Sequence, residues 1–160
     1  MSIVRNYVVN ADKPTPAEQA MMDQQEIAND HRIEQQWAIK AVKYAEVYMN
    51  LLKAMDPAKL RLSPIDDKIY KRFREAFPDL NVEIINENEL TSKEGKEKWR
   101  PFLMEFEKSF DDWDMGTLLR INSHKDADQE NTMIVTRIQF ICIELARNRE
   151  GHNKDFQKPK

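Results

Sequence analysis

Glycine is scarce in this chain, and its three copies, Gly95, Gly116 and Gly151, stand far apart. A dinucleotide fingerprint or a phosphate-cradling loop needs clustered glycines so that backbone can approach the ligand closely, and none can be written here. The single cysteine, Cys142, excludes an intramolecular disulfide and any cysteine-rich zinc site, and it fits a reducing compartment. Histidines 31, 124 and 152 have no second His or Cys at ligand spacing, so a zinc site is not expected. No stretch approaches the roughly 20 apolar residues of a membrane span. MSIVRNYVVN lacks the apolar core and small-residue cleavage site of a signal peptide, so a cytoplasmic protein, also present in the nucleus, is the expectation. A net charge of −3 makes no electrostatic case for nucleic acid.

What is present is core-forming material. Hydrophobic residues make up 41% of the 160-residue chain and charged ones 33%, enough for one buried core beneath a well-solvated surface. Residues 1–30 hold two basic and five acidic side chains with many Gln, and read as a polar, flexible flank in which a short helix from about Pro16 to Ala28 fits. Asp30 is placed to cap the next element. From His31 to Met55, Ile33, Trp37, Ala41, Tyr44, Tyr48, Leu51 and Met55 recur at spacings of three and four, which predicts a helix that Asp56-Pro57 ends.

SPIDDKIYKRFREAFP carries a helix start in Ser63, Pro64 and Asp66, and an apolar face in Ile65, Ile69, Phe73 and Phe77. LNVEII (80–85) reads as a short strand or an extended link. A third helix is expected over 92–115, beginning near Ser92 or Lys93, with Pro101 as a start or kink and Gly116 as its terminator. TLLRIN (117–122) reads as extended, pairing briefly with the 82–85 region. A last helix is expected over 129–149, with Gly151 as C-cap and 152–160 as a loose tail. The sum is a mainly α, small single-domain fold of about four helices, centred on 31–151, with one or two short strands.

That last segment contains Arg137 and Glu144 inside its most apolar run. On a helical wheel they lie within about 20° of each other but roughly 10 Å apart along the axis, so each needs its own partner. One reading makes them internal hydrogen-bonding groups. The other places them at the rim of a binding groove that Arg147, Asn148 and Arg149 continue. Structure is the ordinary role of such charges when buried. The Asp111, Asp112 and Asp114 cluster offers an acid/base pair or a cation site, against a solvated acidic rim as the ordinary explanation. Cys142 reads as buried and inert.

Five stretches occur in one order across 31–151: WAIKAVKYAEVY (37–48), DDKIYKRFREAF (66–77), KEKWRPF (96–102), GTLLRI (116–121) and ENTMIVTRIQFICIELARNREG (130–151). Together they resemble the polysaccharide-biosynthesis-domain-containing protein 1 family. Thr136 stands where that family commonly has proline. The resemblance implies a compact, mostly helical, non-enzymatic protein without a cofactor. It also implies a cytosolic chaperone for newly made translation elongation factor 1-alpha. Such a chaperone would bind the client's GTP-binding domain near ribosomes and the nascent-polypeptide-associated complex, and leave once folding is complete. The client would hold the nucleotide, in keeping with the missing glycine loops. Arg120, Arg137, Glu144, Arg147 and Arg149 are the candidate protein-binding residues, as rim or support, with Arg147 and Arg149 foremost. Two other readings follow from the residues and the family's name: an enzyme of polysaccharide metabolism using the acidic cluster, and an interaction scaffold without a folding role.

Overall fold

The structure, a computed structural model, describes residues 15–157, with backbone alone over 25–31. The flank before residue 15, the His31 side chain and residues 158–160 lie outside the described residues. By backbone packing the chain divides into residues 1–40 and 41–160. The first unit, where described, is the N-terminal part of helix α1 (Pro16–Ala54); the second holds the remaining elements. These are α2 (Asp66–Ala76), α3 (Glu87–Thr91), α4 (Lys93–Phe106), β1 (Thr117–Arg120), β2 (Thr132–Val135) and α5 (Arg137–Glu150). The fold is mostly helical with one small antiparallel sheet, as the sequence predicts.

Several elements differ in their limits. The two N-terminal helices expected on either side of Asp30 are one: α1 runs through that residue without a break. Its buried face is also rotated from the predicted stripe. Ala41, Ala45, Tyr48, Met49 and Leu52 face the core, while Leu51 and Met55 stay exposed. Alanine explains the choice: small side chains at 41 and 45 allow close approach, and Tyr44 and Tyr48 meet Phe140 of α5 edge-on at 5.7 and 5.2 Å.

The Ser63 cap expected for α2 does not form: Ile65 stands at the N-cap without a side-chain hydrogen bond, and the Ser63–Asp66 pair braces the preceding turn instead. Asp66 accepts from Leu62 N–H (2.9 Å) and from the Ser63 hydroxyl (2.6 Å), and Ser63 accepts from Ile65 N–H (3.2 Å). Ile69 and Phe73 are fully buried, as the pattern requires. The 80–85 stretch is an extended link, buried through Val82 and Ile85 and joined to the sheet region by one bridge, Ile84 to Asn122.

Ser92 caps α4 by accepting from Gly95 N–H at 3.0 Å. The helix stops at Phe106, well short of Gly116. Continuing it would have set Asp111, Asp112 and Asp114 against the negative end of the helix dipole; turns replace it, and the Trp113 carbonyl accepts from Ile138 N–H instead.

The largest correction concerns 129–149. Gln129–Asn131 is a short 3-10 turn, Thr132–Val135 is strand β2, paired antiparallel to β1, and the α-helix is confined to Arg137–Glu150. The run Thr-Met-Ile-Val-Thr, β-branched at all but Met133, suits a pleated strand. Thr136 then opens α5 with a full capping box: its hydroxyl accepts from Gln139 N–H (3.1 Å), and Gln139 accepts from Thr136 N–H (3.0 Å). Gly151 closes the helix at φ +87°, a left-handed geometry that glycine adopts without strain. The chain beyond it is docked as far as residue 157, contrary to the loose tail expected, because Asn153 is buried and Phe156 packs on the core.

Candidate functional site

The five sequence candidates separate into a buried hub and two surface residues. Arg120, at the end of β1, donates from Nη2 to Glu144 Oε1 at 2.8 Å and to Asn153 Oδ1 at 2.7 Å, and from Nη1 to the Ser123 carbonyl at 2.6 Å. Arg147 donates to the carbonyls of Val82 (2.6 Å) and Arg120 (2.7 Å) and reaches Glu144 at 3.4 Å. All three charged side chains are buried, and Arg147 is 0% exposed. The expectation that Arg147 belongs to a contact surface is therefore wrong. Its side chain is long enough to reach and satisfy carbonyls of the 80–85 link and β1.

Burial pushes the Glu144 carboxyl up, and Arg120 and Arg147 more than offset that, leaving it below the usual carboxylate range. Arg147 is pulled down by its burial, with Glu144 opposing. The network extends through Asn153 to Asn148 (2.6 Å) and on to the Tyr48 hydroxyl (3.2 Å) on α1. One carboxylate thus organises β1, α5 and the C-terminal segment. The hub is a structural device that crosslinks elements distant in sequence.

Arg137 sits in the first turn of α5, where the helix dipole disfavours a cation. It is held 4.4 Å above the Tyr44 ring, with Asp112 at 3.7 Å and the Met115 sulfur at 3.5 Å. Its side chain is 18% exposed, and among the described residues its Nε has no hydrogen-bond partner. Arg149 lies on the surface, bonding Asp67 at 2.6 Å and covering the Tyr70 ring. Asp112 is thereby an ion-pair partner in a turn. Asp111 and Asp114 flank it in the same turn, and among the described residues no three His, Cys, Asp or Glu side chains converge as a metal-ligand set.

Sequence reasoning missed an apolar groove that could receive a partner. An apolar groove of about 470 Å³ runs between α4 and the end of the sheet. Trp99 and Leu103 form its floor with Trp113; Met104 and Ile134, 61% and 58% exposed, stand at its edges. Lys96 and Arg100 supply a basic margin on α4, and Asp114 also lines the groove. Trp99 is itself locked by stacking on Phe77 at 4.2 Å, and its Nε1 has no acceptor among the described residues. The signal was present in KEKWRPF and TMIV, but reading TMIV as part of the last helix concealed the strand.

Residues 33–158 match the family described as PBDC1 protein. This chain belongs to that family. Family members of mouse and human, each named Protein PBDC1, are 49% and 46% identical over 126 residues, which is 79% of this chain. The match spans only 64% and 54% of those relatives' own length. A Schizosaccharomyces pombe Protein PBDC1 homolog is 40% identical over 86% of this chain and 96% of its own. The fold is shared with a solution NMR structure of a Saccharomyces cerevisiae protein, with a TM-score of 0.73 at 42% identity, over 79% of this chain and 89% of that one. The five stretches that carried the resemblance all fall inside the matched region of the PBDC1 family.

Proposed function

We propose that this protein is a client-specific chaperone of the cytosol that binds the GTP-binding domain of newly made translation elongation factor 1-alpha. The single observation that carries the reading is the apolar groove beside α4, with two tryptophans in its lining and lysine and arginine at one margin. Aromatic anchors in a concave apolar site with a charged edge are the composition of protein-binding hot spots. Two of the four candidate arginines are committed elsewhere: Arg120 and Arg147 are held inside the hub. Arg137 and Arg149 are the two of the five with surface to offer.

The chaperone shields apolar surface of an incompletely folded domain and loses its hold when the native state hides that surface. Burial of apolar area supplies the driving force for binding, and folding of the client removes that area from reach. Encounter takes place near the ribosome and the nascent-polypeptide-associated complex, where the client emerges; nucleotide is bound by the client. No enzymatic step is part of this reading.

Capture from a translating lysate under GTP-preserving conditions tests it. Newly labelled elongation factor 1-alpha is expected among the enriched proteins, and its isolated GTP-binding domain is expected to suffice. If elongation factor 1-alpha is not enriched over a control protein, the reading fails.

A further inference from the structure

Strand β2 has an open edge. Its register with β1 sets Thr117 opposite Val135, Leu118 opposite Ile134, Leu119 opposite Met133 and Arg120 opposite Thr132. The bond from Ile121 N–H to the Asn131 carbonyl, 2.8 Å, continues that register and identifies 121–131 as a hydrogen-bonded pair. Bonded and non-bonded pairs alternate along an antiparallel ladder. The bonded pairs are therefore 119–133 and 117–135, and Thr132 and Ile134 direct their N–H and C=O groups away from β1. Among the described residues no third strand receives them.

Edges of this kind are commonly blunted by lysine, proline or a bulge. TMIV carries none of these, and its outward residue is an exposed isoleucine. Ile134 also lines the apolar groove, together with Leu103, Met104 and Trp113. An exposed hydrogen-bonding edge and an apolar trough thus share one residue. Backbone groups of the edge call for extended polypeptide, the trough for apolar side chains at every second position, and Lys96 with Arg100 for a carboxylate.

We propose that β2 accepts an extended segment of the client as a third strand, whose alternate apolar side chains enter the groove beside Ile134 and whose acidic residue meets Lys96 and Arg100. This rests on the chaperone reading and adds the mode of recognition. It also accounts for release: a segment whose backbone is already paired inside a folded domain has nothing to offer the edge.

The probe is a blocked nine-residue peptide, Glu-Asp-Val-Thr-Ile-Thr-Val-Asp-Glu, compared with the same peptide N-methylated at alternate amides. N-methylation removes strand pairing and leaves the side chains. The readouts are fluorescence of the groove tryptophans and amide hydrogen exchange at Thr132 and Ile134. The unmodified peptide is expected to bind and to slow exchange at both amides; the methylated one is expected to bind at least about tenfold more weakly. Ile134→Pro is expected to lose the peptide and keep its melting temperature, because that N–H lies outside the β1 ladder. If Ile134→Pro does not fold, Arg100→Glu in the wild-type backbone supplies the comparison, with at least about tenfold weaker binding of the acidic peptide expected. Equal binding of the two peptides, unchanged exchange at Ile134, or no binding at millimolar peptide overturns the proposal. The two readings fail separately. If wild type captures elongation factor 1-alpha and Ile134→Pro, folded, captures it equally, strand addition is wrong and the chaperone stands.

Discussion

Arg120 Nη2 lies 2.8 Å from Glu144 Oε1, with both side chains almost completely out of water. The pair joins the end of β1 to the middle of α5, and Arg147 approaches the same carboxylate from the next turn of the helix. Two guanidinium groups therefore depend on one carboxylate and a set of backbone carbonyls. Such a cluster is costly to break from one side, because the remaining charges cannot reach water.

Glu144→Ala is expected to destabilise the protein by about 3–5 kcal/mol, the range for stranding a buried charge partner. Urea denaturation followed by tryptophan fluorescence measures it. A loss below about 1 kcal/mol would show that the hub contributes little to folding.

Arg147→Ala and Arg149→Ala, two residues apart, are expected to diverge. Arg147 is fully buried and bonds the Val82 and Arg120 carbonyls, so its loss leaves buried acceptors unsatisfied and costs several kcal/mol. Arg149 pairs with an aspartate that is 94% exposed, so its loss costs about 1 kcal/mol or less. Parallel thermal melts decide between these outcomes.

Gly95→Ala is expected to destabilise, against the rule for helices. In an exposed helix interior the change gains about 1 kcal/mol. Here the added methyl would run into the Glu89 carbonyl of α3, backbone that cannot swing aside. A loss of about 1–3 kcal/mol is anticipated from this overpacking, read as a lower denaturation midpoint.

His124 links three segments: it bonds Glu83 at 2.7 Å on one ring nitrogen and Asp155 of the C-terminal segment on the other. Those bonds raise its pKa, that to Glu83 foremost, and lower that of Glu83. A raised imidazole stabilises the fold fully below its ordinary pKa and loses that contribution as pH rises through the folded value. A lowered carboxylate stabilises above its ordinary pKa and loses that as pH falls through its folded value. The linkage is therefore complete between about pH 5 and 6.5 and weakens on either side. Wild type should lose more of its melting temperature than His124→Gln when pH is taken from 6 to about 8.5. Identical pH dependence in the two proteins would refute it.

Much of this architecture is legible in local sequence. The α2 face, the Ser92 start of α4, the Gly151 stop and the buried state of Cys142 all follow from local pattern, because each depends on neighbours within a turn or two. Ile134 marks where that reasoning ended. A run of Thr, Met, Ile and Val fits a helix stripe or a strand equally well by periodicity, and only pairing with Thr117–Arg120 settles it. The shift placed Ile134 at a groove margin instead of in the core. Arg147 is the reverse case: charge and a position near the helix end suggested surface, and contacts with Val82 and Arg120, far away in sequence, put it at the centre.

By itself, then, the sequence determined that this is a small, mainly helical member of its family with one apolar core, because helix starts, stops and faces are written in short-range spacing. Tertiary structure alone decided which charges are internal, which edge of the sheet is open and where the groove lies. Those properties depend on what packs against each residue from a distant part of the chain, and no local spacing encodes that.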